Sequence, residues 1–166
     1  MTEYVDTVDE NDNVIGKTTK KEAHQKKLIH RIVHILIINS EGDLLIQKRS
    51  MNMSTYPGYW TSPAAGHVTS GDDYEETAHR ELKEELSINA KLEKIGLVRS
   101  YEDEHMQNIM IFLTNHNGPF KVDDNEIEKI EFVKIGKLKR EIRLYVRKFS
   151  PAFERVFKKL CEVKGL

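Results

Sequence analysis

Three glutamates near the middle of the chain have the spacing of a metal site. Glu81, Glu84 and Glu85 stand at positions i, i+3 and i+4, so on a helix their carboxylates project from one face. Like charges held this close repel one another, and a divalent cation converts that repulsion into attraction. Mg²⁺ prefers oxygen ligands and keeps waters that a phosphate oxygen can displace. The pattern favours a Mg²⁺ site directed at a phosphate-bearing substrate; the alternative is a solvated acidic helix face.

These glutamates need a helix with one buried side and one open side, and residues 66–88 predict such a helix. Asp72 or Asp73 can cap its N-terminus, with Glu75 or Glu76 three residues later completing a capping-box pair. Apolar residues recur every four positions on the opposite face, at Ala78, Leu82 and Leu86. The helix can therefore bury one side and offer carboxylates on the other.

The rest of the chain predicts strands on both sides of this helix. Apolar runs bounded by turn residues indicate strands at 30–39, 43–48, 92–99, 109–115 and 127–134, and a hairpin over 4–16. Ser150-Pro151 starts a last helix within a helical C-terminal region of about 135–163. This order predicts an α+β fold with a mixed sheet between helices. We expect one domain over residues 1–166.

Charge and cysteine content limit the class of protein. The 166 residues are 39% hydrophobic and 32% charged, as in an ordinary globular domain. A formal net charge of −1 gives no global attraction to nucleic acid, and no apolar run approaches the ~20 residues of a membrane span. The single cysteine, Cys161, suits a reducing cytosol, and the acidic N-terminus lacks the features of a signal peptide. We expect a cytoplasmic protein without a membrane or nucleic-acid partner; the oligomeric state, including a homodimer, stays open.

The complete motif resembles the signature of the Nudix hydrolases. It comprises Gly66, then Asp72 after five residues, and after seven more the run Arg80-Glu81-Leu82-x-Glu84-Glu85-x-Ser87-Ile88. Asp72 stands where the family has Glu, which shortens its reach, and Ser87 stands where the family usually has Gly. The resemblance implies an α/β/α sandwich in which residues 66–88 form a loop–helix–loop catalytic box.

This resemblance implies roles for individual residues. Glu81 and Glu85 match the metal-binding glutamates of the family, and Glu84 supports them or shares a second ion. The carbonyl of Ala65 matches a backbone ligand, and Arg80 matches the arginine that orients a neighbouring carboxylate.

The implied reaction is Mg²⁺-dependent cleavage of a nucleoside diphosphate linked to another group, by water attack at phosphorus. The general base is a glutamate of the box or one from a later loop. Glu126 is the candidate outside the box, and an exposed loop acid is its alternative interpretation. A non-catalytic domain that binds a nucleotide is a further alternative for the whole chain.

Residues 44–67 are also similar to the equivalent stretch of type 1 isopentenyl-diphosphate isomerase, which shares the Nudix fold. The histidine ligands of that enzyme match His24, His30 and His67, which could form a nitrogen-rich site for Zn²⁺ or Mn²⁺. The alternative is that His30 belongs to a strand and His24 to the surface. The segment 118–127 resembles bacterial isomerase-like Nudix hydrolases, and this is the subgroup that the sequence favours.

Two departures weigh against an isomerase. The catalytic cysteine of that enzyme would occupy the position of Ala65, and its glutamates on the next strand would fall near Met106 and Asn108. Isomerisation needs a proton donor and a proton acceptor on opposite sides of the double bond. Glu104 and His105 are the nearby residues that could serve. The isomerase is therefore the alternative to the hydrolase.

Residues beside the box are expected to choose the substrate. Lys48 and Arg49 precede an aromatic loop, and the resemblance to the isomerase places a cation here against the diphosphate. Tyr56 and Trp60 could stack on a base or line a pocket, and His67 lies at the start of the box. The alternatives are a pair of surface cations and aromatic residues that belong to the core.

Overall fold

The computed structural model describes residues 1–102 and 105–166 and has an α+β architecture, as the sequence predicts. The strands are β1 (Tyr4–Val8), β2 (Val14–Thr19), β3 (His30–Ile38), β4 (Leu44–Arg49), β5 (Trp60–Thr61), β6 (Ala64–His67), β7 (Glu93–Glu102), β8 (His105–Asn115) and β9 (Ile127–Val133). The helices are α1 (Lys20–Gln25), α2 (Tyr74–Leu86), α3 (Ile135–Arg143) and α4 (Pro151–Lys164). Within the described residues, no helix is long and apolar enough to cross a membrane.

Strand β3 lies at the centre of the sheet. It runs parallel to β8 along its whole length, and β7 continues the sheet on the far side of β8 in antiparallel orientation. On its other side β3 pairs with β6, where His34 lies opposite Ala65. Most β3 residues are buried on both faces of the sheet. This double burial explains why the strand has a continuous apolar sequence instead of an alternating one.

Strand β4 leaves β3 almost as soon as it begins. Leu44 is the β4 residue that pairs with β3, opposite Ile38. From there β4 pairs with β9 and β5, and β6 takes the place beside β3. The β4 group and the β3 group therefore become the two walls of a cleft, and residues of both line it.

The two faces of the sheet support two separate cores. Ile32 and Leu36 of β3 enter the core that contains α4, whereas Val33 and Ile35 enter the core that contains α2. Because successive side chains of a strand point to opposite faces, one strand contributes to both cores. The prediction of a mixed sheet between helices is confirmed.

Asp12, in the turn of the N-terminal hairpin, ties three elements together. Its carboxylate accepts hydrogen bonds from Arg31 Nε at 3.1 Å, from the Tyr74 hydroxyl at 2.9 Å and from Asn108 Nδ2 at 3.1 Å. These partners belong to β3, α2 and β8. A partly buried ion pair contributes to stability when further hydrogen bonds satisfy it, so this contact fixes the start of α2 against the sheet.

We expect Leu82→Ala to destabilise the protein by about 2–5 kcal/mol, the usual cost of truncating a fully buried leucine. Leu82 is 0% exposed in the core under α2. Urea denaturation followed by circular dichroism measures the change. Leu144→Ala is the matched control because Leu144 is 58% exposed. Equal losses of stability in the two variants would contradict the packing of α2.

Candidate active site

Helix α2 begins and ends as the sequence signals suggest. Asp73 caps it: its side chain accepts from the Glu76 amide at 2.8 Å, and the Glu76 side chain accepts from the Asp73 amide at 3.4 Å. Of the two predicted capping pairs, the structure thus contains the second. The helix ends at Ser87, whose φ of 58° is the left-handed conformation that favours glycine. This conformation accounts for the expected glycine at that position.

Asp72 is left free of the cap and pairs with Arg80. The Arg80 Nη1 atom lies 2.8 Å from Asp72 Oδ2, and both side chains are about one-third exposed. This hydrogen bond, together with the carboxylates of Glu81, Asp72 and Glu84, raises the pKa of Arg80. Arg80 therefore stays protonated and holds Asp72 at the edge of the carboxylate cluster.

Strand β6 lies directly against the glutamate face of α2. A Cβ atom at Gly66 would lie 2.3 Å from Glu81 Cδ, so any side chain at this position would displace the Glu81 carboxylate. The amide of the preceding residue, Ala65, donates a hydrogen bond to Glu85 Oε2 at 2.8 Å. The glycine thus lets the backbone approach closely, and the neighbouring amide fixes one carboxylate.

The carboxylates of this cluster repel one another and are partly desolvated. Burial, then the neighbouring Glu84, raises the pKa of Glu81 to about 7. Burial also raises the pKa of Glu85 to about 8, with further contributions from Glu81 and Glu126 and an opposing one from the Ala65 amide. Glu126 therefore lies within electrostatic reach of both. Four oxygen-bearing side chains in this environment suit a hard divalent cation, which lowers the cost of holding them ionised.

The carboxylate cluster lines one end of a cleft of about 710 Å³. Arg49 enters the same cleft, where it is half-buried and donates from Nε to the Thr55 carbonyl at 2.9 Å. Burial lowers its pKa, while the charges of Glu85 and Glu126 oppose that change. A guanidinium held among carboxylates is suited to bind the oxygens of a phosphate. Tyr56 and His67 also line the cleft.

Two residues expected to contact substrate lie elsewhere. Lys48 forms an ion pair with Glu128 at 3.4 Å, and Trp60 packs against the α4 core with the Arg147 guanidinium 4.6 Å above its ring. Lys48 is the register partner of Trp60. Because side chains alternate along β4, Arg49 faces the cleft and Lys48 faces away from it. Neither residue is among those that line the cleft in the described part of the chain, and their contact with substrate stays a prediction.

The three histidines of the predicted metal site come together. Their ligand nitrogens all lie within 4.8 Å of one another. His30 Nδ1 bonds the Leu28 carbonyl at 2.8 Å and therefore carries the proton, whereas its buried Nε2 has no hydrogen-bond partner among the described residues. The Nε2 atoms of His24 and His67 are 3.4 Å apart. His105 lies alongside, with its ring centroid 5.3 Å from that of His24.

The imidazoles of His30 and His67 are kept neutral. Burial lowers the pKa of His30 to about 4, and burial with the nearby Lys20 charge brings the pKa of His67 well below its ordinary value. Neutral rings with converging lone pairs are the form that binds a transition metal. The Nε2 atom of His30, which has no hydrogen-bond partner among the described residues, can bind such an ion. The 3.4 Å separation between the Nε2 atoms of His24 and His67 fits the same ion.

Asn108, one of the two positions compared with the isomerase glutamates, has a structural role in this chain. Asn108 is fully buried, donates to Asp12 and accepts from the Tyr101 hydroxyl at 2.9 Å. This side chain belongs to the contact that ties the hairpin to the sheet. Glu104, which the sequence analysis named with His105 as a candidate for proton transfer, lies outside the described residues.

Sequence reasoning missed several residues that line the cleft. Lys20, which pairs with Glu3 at 3.4 Å, begins α1 and gives no motif signal. His34 and Gln47 are polar residues inside apolar strands. A buried polar residue in such a strand needs a partner, and that signal could have identified both.

A family model described as the NUDIX domain matches residues 28–153. The chain belongs to the Nudix family. An uncharacterized Nudix hydrolase of Pseudomonas aeruginosa is 35% identical over 135 residues, which cover 80% of this chain and 79% of that protein. These matches support an enzyme of the hydrolase class.

Two further comparisons place the chain within this fold. Isopentenyl-diphosphate Delta-isomerase 2 of Photorhabdus laumondii is 38% identical over 96 residues, 58% of this chain and 54% of that protein. A crystal structure from Deinococcus radiodurans, at 22% identity, has a TM-score of 0.80 and covers 94% of this chain and 98% of that one. The structural likeness confirms the Nudix fold, and the relatives include both hydrolases and isomerases.

We expect the contribution of Glu85 to the stability of the metal-free protein to fall as pH rises from 4.5 towards 8. The pKa of Glu85 is about 8 in the folded protein against an ordinary value of 4.5, so the folded state binds the proton more tightly across this range and stability falls as the proton leaves. Glu85→Gln removes this loss. Thermal melts in a chelator, from pH 5 to pH 8, measure the difference between wild type and variant, which should grow with pH. A constant difference would contradict the burial of Glu85.

Proposed function

We propose that this protein is a Mg²⁺-dependent Nudix hydrolase that cleaves a diphosphate bond in a nucleoside diphosphate-linked or related small molecule, by water attack at phosphorus. The observation that carries the proposal is the carboxylate cluster of Glu81, Glu84, Glu85 and Glu126, which shares one cleft with Arg49. A cleft with carboxylates and a guanidinium suits a diphosphate that arrives with a divalent cation. We place this chemistry in the cytoplasm.

The residues proposed to hold Mg²⁺ are Glu81 and Glu85, with Glu84 and the carbonyl of Ala65 completing the protein side of the shell. Their oxygens are the ligand type that Mg²⁺ prefers. Burial, together with the neighbouring carboxylates, raises the pKa values of Glu81 and Glu85, and a cation would offset both effects. When bound, Mg²⁺ offsets the charge of the diphosphate and polarises the attacked phosphorus.

The side chains around the proposed ion orient the substrate and the water. Arg49 is held by the Thr55 carbonyl and binds the phosphate oxygens. Arg80 holds Asp72 beside the cluster. Glu126 is the proposed base that takes the proton of the attacking water, because its loop is fixed by the 2.9 Å hydrogen bond from the Ser50 amide to its carbonyl and its side chain lines the cleft.

Glu84→Gln and Glu85→Gln should each reduce hydrolysis by about 10²–10⁴, the range for groups that carry metal or proton transfer. The assay is product release with Mg²⁺ from a panel of nucleoside diphosphate derivatives and isopentenyl diphosphate. Glu75→Gln, on the exposed first turn of the same helix, is the matched control and should retain activity.

Three results would contradict the proposed site or the proposed reaction. Activity that survives both glutamate substitutions would rule out the proposed site. Exchange of solvent protons into isopentenyl diphosphate without hydrolysis would identify an isomerase, which Ala65 and the buried Asn108 disfavour. Tight nucleotide binding without turnover under Mg²⁺ and Mn²⁺ would indicate a non-catalytic binding domain.

We also propose that His24, His30 and His67 hold a second ion, Zn²⁺ or Mn²⁺. The support is geometric: three imidazoles converge within 4.8 Å, and the buried Nε2 of His30 lacks a partner among the described residues. His67 belongs to β6, the strand that also contacts the carboxylate cluster. The two proposed metal sites therefore share one strand.

Alanine at His24 or at His67 should weaken Zn²⁺ binding by about 100-fold or more, since losing a ligand costs at least as much as losing an outer-shell partner. Metal competition with a chromophoric chelator measures the affinity. His79→Ala is the control because His79 is exposed on α2. The measurement is repeated with Glu85→Gln, which should still bind Zn²⁺. If the His24 and His67 variants bind Zn²⁺ as tightly as wild type and the His79 control, the result would argue against the site.

A further inference from the structure

The cleft has an uncharged wall next to the carboxylate cluster. His34 of β3, Gln47 of β4, Ser100 of β7 and Gln107 of β8 all line it, and we refer to these four residues as the polar floor. Each is at most 9% exposed. Residues with amide, hydroxyl and imidazole groups are seldom buried without hydrogen-bond partners. The buried polar groups of the polar floor therefore require hydrogen-bond partners.

His34 contributes hydrogen bonding without charge. Burial lowers the pKa of His34 to about 4, so the ring is neutral at physiological pH. One ring nitrogen, Nδ1, makes a 2.7 Å hydrogen bond with Ser62 Oγ. The ring is held in place by this contact, and its second nitrogen is the one that can meet a ligand.

Gln47 presents an acceptor that the described residues leave unsatisfied. Its Nε2 donates to the Ser62 carbonyl at 2.9 Å, which fixes the direction of the amide. Its Oε1 has no hydrogen-bond partner among the described residues, although the side chain is 96% buried, with 4% exposed. A buried acceptor of this kind favours a ligand that brings a hydroxyl or N–H donor.

The polar floor is adjacent to the residues that are proposed to bind the diphosphate. Gln47 and Arg49 are two residues apart on β4, so both side chains lie on the same side of the strand, roughly 7 Å apart along it. His34 is the register partner of Ala65, whose amide bonds Glu85. A substrate with its diphosphate at Arg49 and the glutamates thus places its adjacent group over the polar floor.

We propose that the polar floor binds a hydroxyl-bearing, sugar-type group of the substrate next to the diphosphate, and that it selects such substrates over isoprenyl diphosphates. This inference rests on the proposed hydrolase function. A sugar hydroxyl donates to Gln47 Oε1 and meets the ring nitrogen of His34 that is not bonded to Ser62. An isoprenyl chain offers neither contact and leaves these buried groups unpaired, which is the way hydrogen-bonding sites reject analogues that lack a hydroxyl.

The test compares ADP-ribose with isopentenyl diphosphate as substrates of wild type, Gln47→Met and Gln107→Met. Methionine keeps the approximate length of glutamine and removes its amide. We expect wild type to prefer ADP-ribose, and each variant to lower kcat/KM for ADP-ribose by about tenfold, the effect of one buried hydrogen bond. The value for isopentenyl diphosphate should not fall. Thr114→Val, a buried polar position of β8 outside the cleft, should leave both values unchanged.

Substrate binding is measured by calorimetry alongside turnover, because it separates the two proposals. An unchanged ratio of the two substrates in both glutamine variants, with melting temperatures like that of wild type, would overturn the role of the polar floor. A wild-type preference for isopentenyl diphosphate would overturn it as well. If wild type hydrolyses neither of these compounds nor any other nucleoside diphosphate derivative of the panel, the hydrolase proposal fails. The binding ratio of the two compounds still decides whether the polar floor selects hydroxyl groups.

Discussion

The close approach of strand β6 to helix α2 is the constraint on which the carboxylate cluster depends. At Gly66 a single methyl group would collide with Glu81, and the amide of Ala65 donates to Glu85. The backbone of β6 therefore sets the position of two glutamates at once. Leu82 and its apolar neighbours bury the other side of the helix, so α2 cannot rotate away without exposing its core face. Burial of the carboxyls raises their pKa values, and a divalent cation is the ligand that offsets this electrostatic cost.

The cleft exists because β4 parts from β3. The alternation of side chains along β4 then decides which residues can reach a ligand. Gln47 and Arg49 face the cleft, whereas Lys48 faces Glu128 on the other side. The Asp12 contact with β3, α2 and β8 holds the N-terminal hairpin against the sheet and the start of α2. Asn108 belongs to that contact, and a buried amide that is already hydrogen-bonded cannot act as an acid or a base.

Three chemically different surfaces meet in one cleft. The proposed Mg²⁺ site has carboxylate oxygens, the proposed histidine site has imidazole nitrogens, and the polar floor has uncharged polar groups. Each surface arises from burial acting on a different side chain: the pKa of a carboxyl rises and that of an imidazole falls. Desolvation thus favours a bound cation at the glutamates and at the histidines, and a neutral polar ligand group at the polar floor. Membership of the Nudix family agrees with the first of these surfaces.

The sequence by itself determined the α+β fold, the helix that carries the glutamates and the family. These features follow from local patterns: the i, i+3 and i+4 spacing, the apolar residues every four positions, and the capping residues, which restrict the choice to Asp72 or Asp73. The meeting of His24, His30 and His67 came from the resemblance and not from spacing, because the three lie on different elements. Tertiary structure decided that Asp73 caps the helix while Asp72 pairs with Arg80. It also decided that Trp60 joins the core and that Gln47 and His34 line the cleft. Such outcomes depend on where β4 leaves the sheet and on which face of each strand meets a helix, and contacts between residues distant in sequence fix both.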